Sequence, residues 1–263
     1  MAVSVDTMRF ALSVPPFTDP ATVVALAREA EANGWDGFFL WDHLRWDGKA
    51  EVHDPWTLLG AIAVQTSQIR IGTMVTPLSR RRPAVVAKHL VTLDHLSAGR
   101  VTLGVGLGDP PDLDFSDFGD EPSYRTRAAI TDEALVVLSG LLAGSVSHTG
   151  EHLHVNASMK PATVQPHIPI WIAGRAPKAL PLERARRWDG YVPIANDFLT
   201  PDALAAYVGT HPHDGWDLVA QWPEGTPPDD YAAAGVTWLV RSTWPQEKGW
   251  LDELRQLVSA PPS

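Results

Sequence analysis

The stretch 69-IRIGTMVTPLSRRRPAVVAKHLVTLDHLSAGRVTLGVG-106 contains one full repeat of the pattern that runs through this chain. Ile69–Val75 is a short apolar run and reads as a buried strand. Pro83–Leu96 has helical spacing and closes at Ser-Ala-Gly, and Arg100–Val105 is apolar and strand-like again. A strand, a helix and a second strand, with no polar alternation along the strands, imply a parallel pair joined by a crossover helix. One feature is out of keeping with a buried pair. The first strand runs out into three arginines, Arg80, Arg81 and Arg82, in a chain whose net charge is -10.

The same rhythm extends in both directions. Upstream, Arg9–Val14 and Gly37–Trp41 read as strands. Each precedes a helix, Pro20–Asn33 before Gly34 and Asp54–Thr66 with an Asp-Pro start. Downstream come an acidic, proline-containing loop, 109–122, and a helix over Tyr124–Leu142. Residues 145–168 break the alternation with a small hairpin around Thr149-Gly150. It resumes with strands at Ile170–Ala173, Gly190–Ile194, Trp216–Gln221 and Val236–Arg241. Helices are expected at Pro177–Arg187, Pro201–Tyr207, Pro228–Ala234 and Gln246–Ser259. Eight strand–helix units in 263 residues, with no linker, fit an α/β fold closed as a (β/α)8 barrel better than an open sheet. The expectation is one domain over 1–263 carrying a hairpin insertion.

Composition narrows the function. The acidic balance (pI near 5.4) argues against nucleic acid and against an anionic membrane surface as partners. The absence of cysteine excludes disulfides, thiolate metal sites and thiol nucleophiles. No apolar run approaches the roughly 20 residues of a membrane span. MAVSVDTMRFALSV lacks the basic start and long apolar run of a signal peptide, so a cytoplasmic location is expected. Eleven tryptophans are many, and Trp41, Trp46 and Trp56 fall close together, as core or as walls for a flat ring.

In such barrels the site lies where strands end and loops lead into helices. Four strand ends carry candidates. After the second strand, 41-WDHL-44 sets Asp42 beside His43, a pairing suited to acid/base work or, alternatively, a turn cap next to a packed ring. After the third, Arg80–Arg82 offer planar donors for a phosphate or carboxylate; the alternatives are a solvated run or pairing with the acidic loop 109–121. After the fourth, 104-GVGLGDP-110 has glycines that let main chain approach a ligand, with Asp109 as a polar contact, and it is not a dinucleotide fingerprint. After the fifth, 173-AGRAP-177 leads to a helix start with Arg175 beside it, which suits phosphate unless it is a plain turn. His148, His152, His154, His211 and His213 lack a third metal ligand in view, so no metal is expected.

The segments 34-GWDGFFLWDHL-44, 54–83, 93-LDHLSAGRVTLGVGLG-108 and 169-PIWIAGRAPKAL-180 resemble the luciferase-like flavin-dependent oxidoreductases. That superfamily includes bacterial luciferase, FMN monooxygenases and enzymes of the deazaflavin coenzyme F420. The resemblance implies a TIM barrel and a flavin or deazaflavin ring across the strand mouths. It implies catalytic roles for His43 and Asp42. It places Met74, Val75 and Thr76 at a bulge with a non-proline cis peptide under the ring, and Leu107, Gly108 and Asp109 along the cofactor. Ala173, Gly174 and Arg175 fall on the phosphate turn. It departs from the family in a short region after the sixth strand and in Arg175-Ala176, where relatives often have serine or a second glycine. The expected activity is hydride transfer with F420, or FMN-dependent monooxygenation, on a small organic substrate, with F420 slightly favoured by the WDH segment and a homodimer implied. Two alternatives are a non-catalytic flavin-binding protein on the same barrel and a hydrolase using Asp42 with Asp109.

Overall fold

A computed structural model describes residues 8–48, 51–245, 248–260 and 262. Eight parallel strands close into a barrel. They are β1 (Arg9–Val14), β2 (Gly37–Leu40), β3 (Arg70–Pro77), β4 (Val101–Gly106), β7 (Ile170–Arg175), β8 (Gly190–Ile194), β9 (Asp217–Gln221) and β10 (Trp238–Arg241). The remaining two, β5 (Ser145–Thr149) and β6 (His154–Ser158), form the antiparallel hairpin inserted between β4 and β7. Eight α-helices accompany the strands among the described residues: α1 (Pro20–Ala32), α2 (Pro55–Gln65), α3 (Pro83–Leu96), α4 (Tyr124–Leu142), α5 (Ala179–Ala185), α6 (Pro201–Val208), α7 (Pro228–Ala233) and α8 (Trp250–Ser259). The expected start of the last helix at Gln246 lies outside the described residues.

The helices start where their caps dictate. Asp19, Asp54, Ser123 and Thr200 each accept a backbone N–H three residues on, and Pro20, Pro55 and Pro201 occupy first-turn positions where no N–H is needed. The strands bury both faces. One face, with Leu12, Phe38, Leu40, Ile71 and Leu103, packs outward against the helices. The other, with Ala11, Phe39, Trp171, Val219 and Trp238, fills the barrel. Phe39, Trp171 and Trp238 meet at 5.2–6.1 Å between ring centroids, in tilted and edge-on pairs that plug the lumen. Below them Asp217 accepts from Trp171 Nε1 (3.1 Å) and pairs with Arg9 (2.7 Å). With the amino-terminal end so filled, a ligand can enter only from the opposite end of the strands.

The tip of the hairpin is fastened to α4 by Glu133, and its base by Val146 packed on Gly140. Glu133 accepts the backbone N–H groups of Glu151, His152 and Leu153 and lies 3.3 Å from His148 Nε2. Burial alone would raise its pKa; those donors outweigh it and push the carboxyl down to about 2.

Between β3 and β4 the register slips. Thr73 faces Leu103 and Thr76 faces Val105, so β3 carries one extra residue there, and the Met74–Val75 peptide in that bulge is cis. The glycines of β4 make room for it. A Cβ on Gly106 would stand 2.4 Å from Val75 Cγ2, so the protein's own bulge is enough to require that glycine. Gly108 has φ +80° and would collide with the Phe115 ring.

Candidate active site

The carboxyl ends of the strands open into one cavity of about 1660 Å³. Ten of the eleven residues expected from sequence line it: Asp42, His43, Met74, Val75, Leu107, Gly108, Asp109, Ala173, Gly174 and Arg175. Thr76 does not. It is fully buried and gives its hydroxyl to Asp42 Oδ2 (2.9 Å), which removes it from the expected contacts. Trp41 and Trp46 stand at the cavity, with Trp46 edge-on to His43 at 4.6 Å. Trp56 belongs to the core, its Nε1 turned to Asp42 and its ring against His89.

Asp42 and His43 are neighbours in sequence and do not touch as acid and base. The Asp42 carboxylate is fully buried and receives Arg81 Nε (2.9 Å), Arg81 Nη2 (2.6 Å), Arg80 Nη2 (3.0 Å) and the Thr76 hydroxyl. Burial would raise its pKa, but the hydrogen bond and charge of Arg81, the charge of Arg80 and Thr76 hold it below the usual carboxylate range. Arg81 moves the other way: its own burial is outweighed by the Asp42 bond and charge, and its pKa rises. Both partners therefore stay ionised, and Asp42 reads as a clamp with no proton to trade.

The carboxylate that meets His43 is Asp114, from the acidic loop after β4. Its Oδ2 lies 2.6 Å from His43 Nδ1, while Oδ1 accepts from Leu44 N (2.9 Å) and Arg45 N (3.3 Å). Arg80 Nη1 stands 3.2 Å from the same Oδ2, as a charge contact without hydrogen-bond alignment. Burial is again outweighed, by the His43 bond and charge, then Arg80 and Leu44 N, so Asp114 too titrates below its usual range.

The arginines thus turn inward. The side chain of Arg80 is only 2% exposed and bridges the two carboxylates, Arg81 grips Asp42, and Arg82 stands at the N-cap of α3 without a side-chain cap bond. The expectation of an anion-receiving rim is corrected in favour of its alternative, pairing with the acidic loop and with Asp42. Desolvated guanidinium groups need carboxylates, and two lie within reach.

A different part of the cavity carries accessible positive charge. Arg175, at the end of β7, donates to Asp109 Oδ2 (2.7 Å) and Asn196 Oδ1 (3.3 Å) and is half exposed. Tyr124 gives its hydroxyl to the other Asp109 oxygen (2.5 Å). Arg125 and Lys178 line the same cavity with no carboxylate partner among the described residues. Gly174 does not open a helix N-terminus as the sequence suggested. A Cβ there would stand 2.2 Å from Pro181 Cβ, and α5 begins only at Ala179, after a cis Ala176–Pro177 bond.

The chemistry available is specific. Met74, Val75, Ala173 and Val192 pack together as an apolar part of the lining, and the same cavity carries His43 and the cations Arg175, Arg125 and Lys178. A flat ring with a negatively charged tail fits that donor set.

Comparison with known proteins gives the same answer. Residues 5–208 match the family of luciferase-like monooxygenases. The chain is similar to an uncharacterised protein of Mycobacterium tuberculosis, 30% identical over 195 residues, taking in 67% of this chain and 68% of the relative. It is also similar to the F420-dependent glucose-6-phosphate dehydrogenase of Beutenbergia cavernae, 35% identical over 184 residues, 66% of this chain and 52% of that enzyme. The chain thus spans about half the length of that relative. In three dimensions it resembles the coenzyme F420 dependent tetrahydromethanopterin reductase of Methanopyrus kandleri, with a TM-score of 0.72, 18% identity, and coverage of 95% of this chain and 97% of the other. The chain belongs to the luciferase-like monooxygenase family, a superfamily of flavin- and deazaflavin-dependent oxidoreductases.

Proposed function

We propose that this oxidoreductase moves a hydride between coenzyme F420 and a small, partly hydrophobic organic substrate, with FMN-dependent monooxygenation as the competing branch. The observation that carries the reading is convergence: the Met74–Val75 bulge, the His43 ring and the Arg175 cation, from β3, the loop after β2 and β7, line one cavity. When bound, F420 supplies a hydride donor or acceptor that reacts poorly with oxygen, whereas FMN supplies oxygen activation.

In this reading the bulge supports a ring on its apolar face, and Arg175, Arg125 and Lys178 hold its anionic tail. His43 holds or moves a proton in the same cavity. Trp41, Trp46 and Trp244 line the same cavity and exclude water there. Asp42 acts by holding Arg80 and Arg81 in place. The F420-dependent relative supports the deazaflavin branch. The reading also includes a single barrel domain, a homodimer and a cytoplasmic location; sedimentation of the purified protein tests the dimer. No described helix is long and apolar enough to cross a membrane.

Titration of the purified protein with F420 and with FMN, followed by visible absorption, tests the proposal. Saturable binding of F420, with reduced cofactor stable in air, is expected. Tight FMN binding without F420 binding would move the assignment to the oxygenase branch. Binding of neither would refute the site.

A further inference from the structure

We infer that Asp114, on the loop after β4, is a positioning residue that fixes the tautomer of His43, placing the proton on Nδ1 and leaving Nε2 as a bare acceptor facing the cavity. The inference rests on His43 being the proton-handling group, but its geometry stands alone. Asp114 Oδ2 lies 2.6 Å from Nδ1, and Asp114 is fully buried. Arg80, Leu44 N and Arg45 N surround the same carboxylate and keep it ionised, so it can only accept. Nδ1 must therefore be the donor. Nε2 has no protein partner among the described residues, and the ring lines the cavity. A ring so held takes a proton at Nε2 and then carries its positive charge directly against Asp114.

The position of Asp114 does not depend on the histidine. Two backbone N–H groups of the loop after β2 fix Oδ1, and Arg80, itself tied to Asp42, stands over Oδ2. Trp46, edge-on at 4.6 Å, and Trp41, at 6.0 Å, confine the ring from other sides. The buried charge cluster is thus a rigid mount that orients one imidazole.

The geometry also says what an amide would do. In Asp114→Asn, the N–H groups of Leu44 and Arg45 require the amide oxygen at the Oδ1 position. The NH2 then takes the place of Oδ2, facing His43 Nδ1 as a donor, and Arg80, whose Nη1 stood 3.2 Å from that oxygen without a hydrogen bond, keeps Asp42 as its carboxylate. The histidine answers by inverting: Nδ1 becomes the acceptor and the proton moves to Nε2. The same-shaped side chain then presents the cavity with a donor in place of an acceptor.

Nitrogen-15 NMR of the cofactor-free protein, labelled in its ten histidines, reads this directly, since protonated and bare ring nitrogens separate widely. The His43 signals are assigned by their loss in His43→Gln, and spectra are taken where the ring is neutral. The expected result is a single Nδ1–H tautomer in the native protein and an Nε2–H tautomer in Asp114→Asn. A native ring that carries its proton on Nε2, or averages between the two, overturns the inference without any variant. An unchanged tautomer in a folded Asp114→Asn protein overturns it as well. Once turnover is established, Asp114→Asn is expected to lower kcat by roughly 10²–10⁴-fold with little change in KM. Loss of the proposed cofactor chemistry would leave the tautomer result standing, so the two claims fail separately.

Discussion

Replacing Asp42 by asparagine separates a clamp from a catalytic acid. The carboxylate is fully buried and receives four hydrogen bonds from Arg80, Arg81 and Thr76, at 2.6–3.0 Å. Asparagine keeps the shape but offers one acceptor oxygen and no charge. Arg81 keeps one of its two bonds but no charge opposite it, and Asp54 at 3.6 Å becomes its remaining carboxylate; Arg80 retains Asp114. Leaving a buried guanidinium short of its counter-charge costs about 3–5 kcal/mol. At the lower end, since Arg80 keeps one partner, the loss is about 3 kcal/mol. For a domain of this size that lowers Tm by roughly 6–12 °C. The assay is thermal and urea unfolding, with Arg81→Gln and the double variant closing a cycle. The pair should couple, so that the double variant costs less than the sum of the singles. If Asp42→Asn instead left Tm unchanged and abolished turnover with cofactor binding intact, Asp42 would be a chemical group and the clamp argument would fail.

Three other outcomes follow from particular contacts. Glu133 titrates near pH 2 in the folded chain, below its ordinary 4.5, so its hold on the hairpin is complete above about pH 4.5 and fades as pH falls toward 2. Protection factors at residues 151–153, taken against the intrinsic exchange rate at each pH, should fall over that window in the native protein and be low at every pH in Glu133→Gln. Arg175→Ala should weaken F420 binding about 10- to 100-fold through loss of a charge-assisted bond while leaving binding of the same deazaflavin ring without its anionic tail unchanged; equal losses would show that Arg175 is not the tail's partner. Gly106→Ala places a methyl group 2.4 Å from Val75 Cγ2, and this overpacking should cost about 1–3 kcal/mol in unfolding and shift ring binding by displacing the bulge.

Much of the barrel can be read from local signals. Pro83–Leu96, Tyr124–Leu142 and Gly190–Ile194 have the bounds their caps and apolar runs imply. Where local signals end, so does the agreement. β3 was expected to stop at Val75 and continues to Pro77, because the extra residue at the bulge restores pairing beyond it. Pairing among charged side chains was the least legible. Asp42 and His43 are adjacent, and adjacent residues of extended chain project to opposite sides, so their proximity in sequence keeps them apart in space. The partner of His43 is 71 residues away. Only the excess of acid in loop 109–121 opposite a run of arginines hinted at it. The glycines of 104-GVGLG-108 were open to the same ambiguity, since a missing side chain looks alike whether it yields to a ligand or to Val75.

The charge arrangement explains why three consecutive arginines can sit beside an active site without flooding it with positive potential. Asp42 and Asp114 carry two negative charges, and Arg80 and Arg81 carry two positive ones, all held within one buried network. The cluster is balanced. What this part of the molecule presents to the cavity is His43 and the Asp42 position. The accessible cations stand elsewhere, where Arg175 is joined by Arg125 and Lys178. An anionic tail entering this cavity therefore meets little free positive charge from Arg80 and Arg81. Had the arginine block been solvated, a phosphate would find a further anchor there. Tying the arginines to buried carboxylates removes that anchor, and the same ion pairs steady His43.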